Sequence, residues 1–119
     1  MKKIIIAEDE KVMRSMLADF LESFDYELLL AEDGSVAWNL WNAHQCDLLI
    51  SDVNMPNMSG IELLKKIKNV NQNFPVIIIT GVNIEDAEGV AYENGANSFL
   101  IKPFKMKTLI DEINRILPE

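Results

Sequence analysis

The stretch "LLISDVNMPNMSG" (48–60) decides the fold. Leu48, Leu49 and Ile50 are apolar in succession, Ser51 is small, and Asp52 follows at once. A strand with one face in water alternates apolar and polar residues. An unbroken apolar run suits a strand covered on both faces, as in a parallel sheet. A carboxylate at the end of such a strand is costly unless something pairs with it. The Met-Pro and Ser-Gly steps that follow read as a turn into a helix, with the Ser59 hydroxyl as its N-cap.

Runs of the same kind recur outward from this point. They are "KIIIA" (3–7), "YELLLA" (26–31), "DLLIS" (47–51), "PVIIIT" (75–80) and "NSFLI" (97–101). Helical spacing lies between them. Met13, Met16, Leu17, Phe20, Leu21 and Phe24 follow i, i+3, i+4 steps, as do Met106, Leu109, Ile110, Ile113, Ile116 and Leu117. The middle helices are expected over 35–44, 59–69 and 84–94, with Gly34, Gly60, Gly81 and Gly95 at boundaries. Gly89 weakens the fourth helix by about 1 kcal/mol relative to Ala; its other reading is close packing. Five βα units in a row predict an α/β fold: a doubly wound five-stranded parallel sheet of the flavodoxin-like kind, order 2-1-3-4-5. A closed eight-unit barrel needs roughly 250 residues.

The chain has 119 residues, 49% of them apolar and 25% charged, which fits one domain over 1–119 with a sizeable core. Its net charge of −8 argues against a nucleic-acid footprint and against electrostatic attachment to an anionic membrane. The lone Cys46 cannot form an internal disulfide, which fits a reducing compartment. Apolar runs fall far below the roughly 18 residues of a bilayer span, and "MKKIIIAEDE" is too short for a signal-peptide core. A cytoplasmic protein is expected.

In doubly wound sheets ligands bind beyond the carboxyl ends of the strands, at the switch point. The residues leaving the strands are Glu8, Asp9 and Glu10; Glu32, Asp33 and Gly34; Asp52; Thr80 and Gly81; Lys102, Pro103 and Phe104. Carboxylates brought together by Asp9 and Asp52 call for a cation between them. Oxygen ligands without Cys or His suit Mg²⁺. An aspartate facing such an ion and a lysine can attack phosphorus, with Thr80 donating to a phosphoryl oxygen.

At these residues the sequence resembles the receiver domain of bacterial two-component response regulators. The resemblance runs from "IIIAEDE" through "LLISDVNMPNMSGIELLKKIK" and "VIIITG" to "GANSFLIKPF". It implies that Asp52 is the phosphoacceptor and that Glu8 and Asp9 are the acidic pair, Asp9 a direct metal ligand. It implies a backbone carbonyl from Asn54 to the metal, Thr80 as switch hydroxyl and Lys102 as the phosphate-pairing lysine. Phe99 takes the place of an aromatic ring that swings inward on switching, and Pro103 that of a proline often cis. Val82 would line the path of the hydrolytic water without bonding to it, so no unusually fast self-dephosphorylation is expected.

The implied function is a phosphorylation switch and not an enzyme on external substrates. The implied partners are a sensor histidine kinase or histidine phosphotransfer protein and a downstream target or output domain. No output domain follows "RILPE", which fits a free-standing receiver or a piece of a longer regulator. Two alternatives stand beside this: a haloacid-dehalogenase-like phosphatase, and a protein-interaction receiver that is not phosphorylated. The first needs a second Asp where Asn54 stands and a substrate-binding cap. Glu10 reads as a helix-start acid, and Glu8 as either that or metal work. Trp38 and Trp41 read as packing, His44 as a helix-end residue, and Cys46 as a free thiol.

Overall fold

The computed structural model describes residues 1–81 and 86–117. In chain order the elements are β1 (Lys3–Ala7), α1 (Lys11–Glu22), β2 (Glu27–Ala31), α2 (Gly34–Ala43) and β3 (Leu48–Asp52). They continue as α3 (Gly60–Val70), β4 (Val76–Thr80), α4 (Ala87–Glu93), β5 (Ser98–Ile101) and α5 (Met106–Ile116). The strands form one parallel sheet in the order β2-β1-β3-β4-β5. Element types and strand order are those expected from the sequence.

Consecutive apolar strand residues split between two cores because successive side chains point to opposite faces. Ile4, Ile6, Leu48, Ile50, Ile77 and Ile79 pack against Leu17 and Leu21 of α1 and Leu109 and Ile113 of α5. Ile5, Ala7, Leu49 and Ile78 face the other way, against Ala37 of α2, Leu63, Leu64 and Ile67 of α3, and Ala91 of α4. Each fully buried Leu or Ile contributes roughly 1.5–3 kcal/mol relative to exposure. The double cover is thus the main source of stability, and it leaves only the rims of the sheet for chemistry.

Trp38 and Trp41 stack 5.6 Å apart at 13°, and Trp41 meets Phe74 edge-on. His44 falls one residue beyond α2 as its exposed C-cap, rather than inside the helix. Cys46 is a free thiol, and burial pushes its pKa up.

α4 is shorter than the periodicity expects. It begins at Ala87 behind Asp86, which has a left-handed φ of 67° and makes no side-chain capping bond. Residues 84 and 85 of the expected helix lie outside the described residues. Gly89 leaves room for the Asp86 side chain, since a Cβ there would fall 2.4 Å from Asp86 Oδ1. The inner face of α4 offers only Ala87 and Ala91 to the core, where α1 offers Leu17 and Leu21. We therefore expect faster amide hydrogen exchange in α4 than in α1; equal protection of the two would contradict this.

Candidate functional site

The strand order places the ends of β1 and β3 side by side at the switch point, because β1 continues toward β2 and β3 toward β4. Glu8 follows β1 directly, and its N–H donates to Ala31 O at 3.0 Å. Asp52 is the last residue of β3 rather than the residue after it, in register with Ile79 of β4. Ladder pairing involves only the backbone, so a charged side chain does not end the strand. The Val53 N–H goes on to donate to Ile79 O at 3.1 Å.

Glu8 is fully buried and Asp52 is 6% exposed, while Asp9 is open to solvent. One oxygen from each of the three carboxylates lies within 4.8 Å of the others. Lys102 bridges two of them: Nζ donates to Glu8 Oε1 at 2.6 Å and to Asp52 Oδ2 at 2.8 Å. Burial opposes charge on Lys102, but the bonds to Asp52 and Glu8 outweigh it and lift the lysine pKa above its ordinary value. Burial pushes the Glu8 pKa up, against the pull of Lys102 and of the Glu10 N–H on Oε2. Glu8 therefore faces the acidic cluster, and its Oε2 accepts from the N–H of Glu10, the residue just before α1. Glu10 is the N-cap of α1 but makes no side-chain capping bond.

The Asn54 N–H donates to Asp52 Oδ1 at 3.3 Å, which holds the start of the β3–α3 loop beside the carboxylate. Thr80 is fully buried at the end of β4, one residue past the partner of Asp52. Its carbonyl accepts from the Lys102 N–H at 2.7 Å. Among the described residues, a Cβ on Gly81 would meet only the Lys102 side chain, at 3.5 Å, an ordinary contact distance. The Lys102–Pro103 bond is cis. Phe99 is not part of the rim. Its ring lies inward, 8% exposed, in the core beside α3 and α4. Val82 lies outside the described residues.

Two features escaped the sequence. Arg14 Nη1 donates to Glu8 O at 2.7 Å, stapling α1 to the acidic loop. Asp33, which the sequence placed at a strand end without a role, is 6% exposed and caps α2. Its Oδ1 accepts from the Val36 N–H at 2.9 Å and the Ser35 hydroxyl at 2.7 Å, and its Oδ2 from Asn57 Nδ2 at 2.9 Å. An Asp-Gly-Ser step is a legible capping signal; the partner across the chain is not.

These bonds, the Val36 N–H first, hold the Asp33 carboxyl below the usual aspartate range. A folded-state pKa below the unfolded one means that the linked stability is complete above about pH 4 and is lost as pH falls through the folded value. Urea unfolding across this range is expected to show a steeper acid loss in the parent than in Asp33→Asn. Equal slopes would place the acid sensitivity elsewhere.

An open α/β sheet with an acidic, lysine-bridged crevice at its switch point places the chain in a class: doubly wound proteins whose ligands bind beyond the carboxyl ends of the strands. The response regulator receiver domain model matches residues 4–114, and the chain belongs to that family. It is 32% identical over 116 residues to the chemotaxis protein CheY of Bacillus subtilis, covering 97% of each chain. It is 38% identical over 103 residues to the response regulator GtcR of Aneurinibacillus migulanus, covering 87% of this chain and 42% of that one. The chain thus spans under half the length of that relative. The structure of the Vibrio cholerae chemotaxis protein CheY4 matches with a TM-score of 0.90 at 30% identity, covering 98% of this chain and 99% of that one. Receiver domains are signalling switches, not conventional enzymes, and generally bind Mg²⁺ in an acidic pocket. The phosphatase alternative finds no support. No helix among the described residues is long and apolar enough to cross a membrane.

Proposed function

We propose that residues 1–119 act as one receiver and that Asp52 is its phosphoacceptor. The observation that carries this reading is the bridge from Lys102 to Asp52 and to fully buried Glu8, with an Asp9 oxygen in the same cluster. A lysine held so tightly by two carboxylates is positioned to meet a third anion on the rim.

In this reading Asp52 forms a bond from a carboxylate oxygen to phosphorus as the donor's P–N bond breaks, and the imidazole of the donor histidine leaves. Glu8, Asp9, Asp52 and the Asn54 backbone carbonyl would hold a Mg²⁺ ion. The donor set fits: three carboxylates within 4.8 Å, all hard oxygen, with no His or Cys. When bound, the ion supplies positive charge against the phosphoryl oxygens. Lys102 moves part of its hydrogen bonding from carboxylate to phosphoryl. Thr80 donates its hydroxyl there, and its withdrawal toward the site shifts a two-state equilibrium on the α4–β5–α5 surface. Phe99, 8% exposed in the core beside α3 and α4, is the ring that follows Thr80 on switching.

The donor is a sensor histidine kinase or a histidine phosphotransfer protein in the cytoplasm, and the readout is a downstream protein target or an output domain. Labelling by acetyl phosphate tests the site. It is expected to require Mg²⁺ and to vanish in chelator; labelling that persists in chelator would overturn the metal assignment.

A further inference from the structure

The loop that carries Asn54 is held at both ends. At its foot the Gly60 N–H donates to Val53 O at 2.8 Å, and a Cβ on Gly60 would fall 1.9 Å from Asp52 O. At its tip Asn57 adopts a left-handed φ of 68°, and the Met58 N–H donates to Pro56 O at 2.7 Å. An i→i+2 bond across a positive-φ residue is the less common and more strained γ-turn. Such a turn does not persist on local preferences; surrounding contacts must impose it.

Those contacts come from α2. Asn57 Nδ2 donates to Asp33 Oδ2 at 2.9 Å, and the first residue of α2, Gly34, lies so close that a Cβ would sit 2.1 Å from Met58 O. Asp33 is itself immobilised, its other oxygen held by Val36 N–H and Ser35 Oγ. It follows β2, whose last residue pairs with Ala7, the residue before Glu8. The frame that positions Glu8 therefore also positions Asp33.

We propose that Asp33 and Asn57 form a positioning pair for the divalent-cation site. Through it, the β2–α2 corner sets the shape of the β3–α3 loop and so the placement of the Asn54 carbonyl. Neither residue belongs to the carboxylate cluster that would hold the ion. The pair rests on the Mg²⁺ site proposed above and assigns it a support that the rim residues do not provide. If the Asp33–Asn57 bond served only to pack α2 on α3, its loss would lower stability and leave metal affinity alone.

The test measures the Mg²⁺ dissociation constant by titration calorimetry, and the unfolding midpoint in chelator, for the full chain. Asn57→Gly removes the amide and keeps the left-handed φ. Asp33→Ser keeps a cap for α2 but cannot reach Asn57. Each is expected to weaken Mg²⁺ binding about three- to tenfold, the net scale of one ordinary hydrogen bond, because the pair acts on the ion only through the loop. The double variant is expected to lose little more than either single one, because both remove one interaction. Ser35→Ala loosens the cap without touching Asn57, and is expected to keep parental affinity.

Parental affinity in Asn57→Gly overturns the pair, as do losses that multiply in the double variant. Equal weakening by Ser35→Ala also overturns it, since general loosening would then suffice. A parent chain that binds no Mg²⁺ overturns the proposed function and this pair with it. A parent that binds Mg²⁺ beside an indistinguishable Asn57→Gly overturns the pair alone.

Discussion

Asp52→Asn is expected to abolish labelling by acetyl phosphate, lowering the rate on the order of 10³-fold or more, as loss of a nucleophile does elsewhere. The substitution keeps side-chain volume and leaves the backbone pairing of Asp52 with Ile79 untouched. Lys102 retains its 2.6 Å bond to Glu8, so the rim need not collapse. What is lost is the oxygen nucleophile: the lone pair of a carboxamide nitrogen is delocalised, and its oxygen carries no full charge. Intact-mass detection of the phosphoryl adduct in parent and variant checks this. Labelling that survives in Asp52→Asn would move the acceptor to another residue, Asp9 being the exposed carboxylate nearest to hand.

Gly60→Ala is expected to destabilise the fold by about 3 kcal/mol, from overpacking and a strained hydrogen bond. Helix propensity alone would favour Ala by about 1 kcal/mol, so two effects oppose each other here. The added Cβ would lie 1.9 Å from Asp52 O and 2.9 Å from Asp52 C. Those atoms belong to a strand paired on both sides, by β1 and β4, and cannot give way cheaply. α3 must move instead, weakening the 2.8 Å bond from the Gly60 N–H to Val53 O. Overlap with backbone therefore outweighs propensity. Gly81→Ala serves as the control, since among the described residues its Cβ meets only a lysine stem, at ordinary contact distance. Urea unfolding of both variants decides: a Gly60→Ala protein within about 1 kcal/mol of the parent, the scale of the propensity gain, would contradict the close approach.

Much of the site was legible before the fold was known. Glu8, Asp9, Asp52, Thr80 and Lys102 each leave a strand at its carboxyl end, and the carboxylates and lysine among them do meet. Ser59 caps α3 through Glu62 N–H, as its place before the helix implied. The misjudgements were local. Asp52 continues β3 because pairing depends on backbone alone. α4 starts late because Asp86 turns left-handed where the periodicity carried on.

By itself the sequence determined the two-sided sheet, since unbroken runs such as Ile4–Ile6, Leu48–Ile50 and Ile77–Ile79 can be buried only between two helical layers. It also determined which residue types stand on the rim. Only the tertiary structure decided how they pair. Lys102 reaches Glu8 across 94 residues and Asp52 across 50, and Asn57 reaches Asp33 across 24. The reason is physical: periodicity is set by local geometry, whereas these bonds exist only once strand order and helix packing have closed the distances between remote segments.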